Sequence, residues 1–303
     1  MTLPFKCRNL SVTHYTLPQP KEKAVDMRLD LVGIGPQRTG TTWLYVCLLE
    51  HPQLCFPQGV KQTLFLDERF SKGWMWYWTH FQGRLDGQRC AEIAATYFDV
   101  PEAATRLYDH NPDCRIVVTL RDPTARSFSE YLHHTKRGRL SCDFQTALQK
   151  MPRLLDASRY RPHLERWTHL FGLEKMQFIL QEDIATSPQS VLESVYSLAG
   201  IPPIPPPQAL QERVNDASLS RSPTVAKLAT RGAEWLRERR LYGPIEFAKQ
   251  LGLKRIYSSF RGNLPALAPS TRRELITEFE PDIAYVEALL DRPLPHWRQS
   301  AET

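Results

Sequence analysis

Gly35-Pro-Gln-Arg-Thr-Gly40-Thr-Thr42 carries the two-glycine spacing of a loop that holds phosphate, with three hydroxyl side chains and one cation inside it. Such a loop works when it follows a strand and opens a helix. Successive backbone N–H groups then face an anion, and the helix dipole favours negative charge at that end. The position after the second glycine, where a nucleoside-triphosphatase loop has its lysine, is Thr41, and the cation sits earlier, at Arg38. That arrangement favours a phosphate-type ligand and weakens a Mg-nucleotide site. A second candidate, Arg121 with Ser129 eight residues on, pairs a planar guanidinium fork with a hydroxyl, which suits another phosphate.

Each loop needs a strand before it and a helix after it. Leu29–Gly35 is a short apolar run ending in glycine, and Thr42–Leu49 has a helical pattern. Arg115–Leu120 reads as a buried strand, after which Asp122 is placed to cap a helix with Pro123 at its first position. Met176–Leu180 is a third strand, with a helix expected from Pro188. Alternating strands and helices predict an α/β fold, one domain with a central, mostly parallel sheet flanked by helices, and ligands at the carboxyl ends of the strands. Residues 1–28 are expected to be irregular and residues 29–303 to form the domain. Within it 209–303 should be mainly helical, with patterns at 223–240 and 270–290, as a flank or lid.

Composition bounds the function. The chain has 303 residues, 42% of them hydrophobic, and 39 Lys+Arg against 33 Asp+Glu give a net charge of +6. The basic residues are dispersed, without a run or a nucleic-acid-binding signature, so a small polyanion explains them better than nucleic acid. No stretch reaches the roughly 18 apolar residues of a membrane helix, and the first thirty residues lack a secretory apolar core. Cys7, Cys47, Cys55, Cys90, Cys114 and Cys142 form no CxxC pair and read as reduced thiols, which predicts a cytoplasmic protein. The nine histidines show no ligand spacing, so no metal is expected.

Ile34-Gly-Pro-Gln-Arg-Thr-Gly-Thr-Thr-Trp-Leu44 resembles the 5′-phosphosulfate loop of sulfotransferases that use 3′-phosphoadenosine-5′-phosphosulfate (PAPS), most nearly the heparan sulfate N- and O-sulfotransferase type. Arg121-Asp-Pro-Thr-Ala-Arg-Ser-Phe-Ser-Glu-Tyr131 is similar to the segment that binds the cofactor's 3′-phosphate. Weaker likeness runs through Glu92–Phe98, Glu165–Trp167, Glu182–Ile184 and Leu294–Trp297. The resemblance implies a P-loop-like sulfotransferase fold and sulfuryl transfer from PAPS to a hydroxyl or amine of a glycan or small molecule, leaving 3′-phosphoadenosine-5′-phosphate (PAP). It implies cofactor contacts from Gly35, Gln37, Arg38, Thr39, Gly40, Thr41, Thr42, Trp43, Arg121 and Ser129. Phe260 and Arg261 stand where the family has a Lys- and Gly-rich loop over the nucleotide.

For catalysis the resemblance places Arg38 at the family's loop lysine and Lys61 at its second lysine. Arg38 is the electrostatic clamp, because a guanidinium does not give up its proton, and Lys61 is the acid. The glutamate that follows this lysine in related enzymes is Gln62, which cannot take a proton. His133, four residues after Ser129 and on the same helix face, is the leading base, with Asp67 and Glu92 as fallbacks. Trp74-Met-Trp-Tyr-Trp78 has a stripe spacing that favours packing over an acceptor cleft. Two other readings remain: a Mg-dependent P-loop small-molecule kinase, and a non-catalytic module that binds a 3′,5′-nucleotide. The sequence leaves acceptor and oligomeric state open.

Overall fold

A computed structural model describes residues 27–205 and 265–299 of the chain. The expected irregular segment therefore lies outside the described residues except for 27 and 28, as do the helical pattern at 223–240 and the candidates Phe260 and Arg261. Five strands, β1 (Leu29–Ile34), β2 (Leu54–Cys55), β3 (Arg89–Ile93), β4 (Arg115–Leu120) and β5 (Met176–Leu180), form one sheet in the order β2-β3-β1-β4-β5. Every neighbouring pair is parallel. β1 and β4 are central, with Val32 opposite Ile116 and Gly33 opposite Val117.

A parallel sheet covered on both faces needs strands that are apolar on both sides, and β4 shows the division. Ile116, Val118 and Leu120 enter one core cluster and Val117 the other. The first cluster packs under α3 (Pro101–His110), α4 (Pro123–Lys136), α7 (Tyr160–Phe171) and a long helix, α10 (Pro269–Leu290). The second packs under α1 (Thr41–Leu49) and α9 (Pro188–Ala199). The shorter helices are α2 (Gly73–Trp78), α5 (Phe144–Lys150), α6 (Arg153–Asp156) and α8 (Gln181–Thr186).

The strand-to-helix junctions follow local chemistry. Asp122 caps α4 as its position suggests, its Oδ1 accepting from the N–H groups of Thr124 at 2.9 Å and Ala125 at 3.2 Å, with Pro123 at the first helical position. The helix at 270–290 is present as α10. After β5 the helix expected from Pro188 is present as α9, and a short helix that the sequence did not predict, α8, precedes it from Gln181, with a break at Ser187.

α10 and the short turn after it reach back over the carboxyl edge of the sheet. Arg272 of α10 donates from Nη2 to Asp122 Oδ2 at 2.7 Å, and Trp297 donates from Nε1 to Glu182 of α8 at 2.9 Å. The α4 cap beside Arg121 and the first turn of α8 are thereby tied to the C-terminal segment.

Candidate functional site

Gly35–Gly40 leaves β1 and folds over the carboxyl ends of β1 and β4. Gly35 and Gly40 have φ of 123° and 104°, conformations that exclude most side chains. A Cβ on Gly35 would meet the Thr119 carbonyl oxygen at 2.5 Å, and one on Gly40 would meet Ile184 Cδ1 at 2.6 Å. Gly35 is therefore required by close approach of backbone as well as by conformation, and Gly40 by conformation, since the Ile184 methyl can move. Thr39 locks the loop down: its buried hydroxyl donates to Pro36 O at 2.7 Å and lies 2.6 Å from Thr119 Oγ1. The Gln37 carbonyl accepts from Arg126 of α4 at 3.4 Å. Through its side chain Thr39 thus fixes the loop, which leaves its backbone N–H for the expected cofactor contact.

The helix that follows presents donors. The first intrahelical bond of α1 runs from Leu44 N–H to Gly40 O, and no side chain caps the helix. The N–H groups of Thr41, Thr42 and Trp43 consequently have no partner within the helix, the pattern of an anion-binding N-terminus. The Trp43 indole itself is buried in the core with Leu44 and Cys47, so its contribution is restricted to the backbone.

Three cations converge here. Arg38, held at φ 78°, donates from Nε to Ser129 Oγ at 3.1 Å. Arg121 donates from Nη1 to Arg38 O at 3.4 Å. The Lys61 ammonium donates to Thr41 Oγ1 at 3.0 Å and Thr42 Oγ1 at 3.3 Å. Burial and the like charge of Arg38 pull Lys61 down to about 8. A non-glycine residue in the left-handed region and a desolvated lysine beside an arginine are both costly. An anion seated among them relieves the second cost, and the uncapped N–H groups point to the same ligand. The residues present fit a phosphosulfate or phosphate group.

The match to known families agrees with this geometry. The sulfotransferase domain model matches residues 29–225. This chain belongs to the sulfotransferase domain family. Among curated relatives, the chain is 28% identical over 204 residues to mouse bifunctional heparan sulfate N-deacetylase/N-sulfotransferase 4, covering 60% of this chain and 23% of that protein. It is 28% identical over 177 residues to human heparan sulfate glucosamine 3-O-sulfotransferase 3B1, covering 55% and 45%. The chain therefore spans about a quarter of the first relative's length and under half of the second's. A solved sulfotransferase from Alicyclobacillus acidocaldarius shares the fold, with a TM-score of 0.66 at 22% identity over 90% of this chain and 99% of that one.

Around the cradle, the fold separates the three candidate bases. His133 is half-buried on α4, and burial, aided by Arg137 and against the pull of Glu130, lowers it to about 4. The Arg38 charge lowers it further. Its neighbour His134 turns to Glu130, with Nε2 3.1 Å from Oε1. Glu92, a fallback base, has both carboxylate oxygens engaged in this arrangement. It is fully buried, its Oε1 accepts the Thr63 N–H, and its Oε2 accepts the hydroxyls of Tyr77 at 3.0 Å and Tyr97 at 3.2 Å. Burial raises it to about 7. The Tyr97 hydroxyl also accepts the N–H groups of Phe65 and Leu66, so this hub fixes the segment that carries Lys61. Asp67 likewise turns back to its own loop, its Oδ1 accepting the Glu68 N–H at 2.7 Å.

The tryptophan cluster of this chain is packing, as its spacing suggests. Trp74 stacks on His110 with ring centroids 3.6 Å apart and meets Phe65, Phe70 and Tyr77 edge-on or tilted. Sequence reasoning missed Arg126, whose buried guanidinium reaches Gln37 and Ser158. Among the described residues no group of three or more His, Cys, Asp or Glu is placed to hold a metal ion, and no helix is long and apolar enough to cross a membrane.

Proposed function

We propose that this chain moves a sulfuryl group from PAPS to a hydroxyl or amine of a glycan or small-molecule acceptor. One observation carries the reading: the partly desolvated Lys61 ammonium stands with Arg38 at the uncapped N-terminus of α1. PAPS, when bound, supplies the activated sulfuryl group. The N–H groups of Thr41, Thr42 and Trp43 and the Arg38 guanidinium would hold its 5′ end. Arg121 and the Ser129 hydroxyl, whose oxygen already accepts from Arg38 and whose proton is free to turn to an anion, would hold the 3′-phosphate.

The catalytic roles follow from proton affinity. Lys61, near 8, holds its proton at neutral pH and can deliver it to a developing oxyanion more readily than an ordinary lysine. Arg38 keeps a fixed charge and neutralises the same centre without titrating. His133, neutral at pH 7, has a ring nitrogen able to take the acceptor's proton. A reducing, cytoplasmic setting belongs to the same proposal, supported by the buried free thiols of Cys47, Cys55, Cys90 and Cys114.

Thermal melting with PAP, AMP and Mg-ATP in parallel tests the ligand, since a ligand of the native state raises the melting temperature. PAP is expected to stabilise far more than AMP, and Mg-ATP no more than AMP. Equal shifts with all three would remove the 3′-phosphate site. Transfer from labelled PAPS to an acceptor panel then reads the chemistry.

A further inference from the structure

Lys61 comes six residues after β2 and belongs to no helix or strand, yet its ammonium is set on the first turn of α1. The backbone just beyond it is what is held. Leu64 lies at φ 58°, in the left-handed region that a bulky side chain occupies only where its surroundings impose it. The Tyr97 hydroxyl, fully buried four residues after β3, is at the centre of those surroundings. It donates to Glu92 Oε2 at 3.2 Å and accepts the N–H groups of Phe65 at 3.1 Å and Leu66 at 3.2 Å. The Thr63 hydroxyl lies 3.2 Å from it. The carbonyls of the same turn are answered by arginines, Thr63 O by Arg69 at 3.4 Å and Leu66 O by Arg106 at 2.6 Å.

Tyr77 separates two roles that this hub could have. Its hydroxyl is as deeply buried and donates to the same Glu92 oxygen at 3.0 Å, its only hydrogen bond among the described residues. Its ring stacks on Phe65, a contact that does not depend on the hydroxyl. The two phenols therefore serve Glu92 alike, and only the Tyr97 oxygen also takes backbone N–H groups of the Lys61 segment. Without that oxygen the buried N–H of Leu66 has no acceptor and that of Phe65 keeps only the Thr63 hydroxyl, so the turn must move to satisfy them.

We propose that Tyr97 is a positioning residue for sulfuryl transfer, setting through the Phe65 and Leu66 N–H groups the turn that holds the Lys61 ammonium on Thr41 and Thr42. The inference rests on the sulfuryl-transfer reading and deepens it, adding a residue that acts on the ligand only through Lys61.

Calorimetric titration with PAP from pH 6.5 to 9.5, beside urea unfolding, compares the wild type with Y97F and Y77F. Y97F is expected to bind PAP about tenfold more weakly at pH 7, the size of one charge-assisted contact. It should also lose the fall in affinity through about 8 that Lys61 shows when buried beside Arg38, because a displaced Lys61 titrates as an ordinary lysine, at roughly 10.4. Y77F is expected to lower the urea midpoint to a similar extent, with PAP affinity within about twofold of wild type and the fall unchanged. Wild-type affinity and pH dependence in Y97F overturn the proposal, and so do equal changes in the two variants. Should Y97F not fold, T63V removes only the hydroxyl that accepts the Phe65 N–H beside Tyr97. It is expected to weaken PAP by about threefold, and a wild-type profile in T63V overturns the proposal. Were the wild type not to bind PAP, the sulfuryl-transfer reading falls. The pH midpoint of Lys61 acetylation by acetic anhydride, read by peptide mass spectrometry, then decides the placement alone: a midpoint that rises in Y97F supports it, and an unchanged one overturns it.

Discussion

The Nε of Arg38 donates to the Oγ of Ser129 at 3.1 Å across 91 positions of chain, joining the loop after β1 to the helix after β4. Resemblance assigns these residues to opposite ends of a bisphosphorylated nucleotide. The structure makes them neighbours, with the Arg121 guanidinium on the Arg38 carbonyl. The two phosphate elements are one electrostatic unit centred on Arg38.

Arg38→Gly is expected to weaken PAP binding by about 10- to 100-fold, the range for losing hydrogen bonds to a charged group. Glycine is the informative replacement because Arg38 lies at φ 78°, where alanine would add strain. Arg121→Ala should lower affinity similarly with little change in melting temperature. Calorimetric titration with PAP checks both, and unchanged affinity in Arg121→Ala would displace the 3′-phosphate from this position.

PAP affinity should fall as pH rises through about 8. Burial and Arg38 set Lys61 there, so its ammonium is charged below that pH and lost above it, and an anion prefers the charged form. Lys61→Met should bind PAP more weakly at pH 7 and show no such step. Titrations from pH 6.5 to 9.5 read the difference.

His133→Ala should abolish transfer while leaving PAP affinity intact. With His133 lowered to about 4, the acid limb of kcat should lie well below the usual histidine range, since protonation disables a base only near its own pKa. A rate profile of the wild-type enzyme that falls near pH 6.5 would exclude His133 as the base.

Glu92 makes stability fall with rising pH. Its folded-state pKa is raised to about 7, against about 4.3 for an unfolded glutamate. Between those values the folded state binds the extra proton, so the stability present below about 4.3 declines through the window and the cost is complete above 7. The loss is on the order of 3 kcal/mol. Glu92→Gln should flatten the melting temperature over pH 4.5–7, because a neutral amide does not titrate.

Arg272→Ala should destabilise the fold by about 3–5 kcal/mol, the cost of removing one partner of a buried ion pair. Asp122 and Arg272 are both largely buried, and the orphaned carboxylate would sit at the α4 cap, next to Arg121. Urea unfolding of the two proteins measures it. A loss under 1 kcal/mol would mean that water replaces the guanidinium.

What the sequence determined by itself is local. Strand, glycine loop and helix follow one another within about twenty residues at Leu29–Leu49, and strand, Asp-Pro cap and helix at Arg115–Lys136. Backbone conformation, capping and apolar period are properties of neighbouring residues, so the α/β class, the cradle and the Asp122 cap were all legible. The tertiary structure alone decided which oxygens and nitrogens remained available. Glu92, Thr39 and His133 are equally plausible polar residues as written. Glu92 is taken by Tyr77, Tyr97 and Thr63, and Thr39 by Thr119. Those partners lie 5 to 80 positions away in the chain. Burial and long-range pairing set both the hydrogen bonds and the proton affinities, and neither is a function of local sequence.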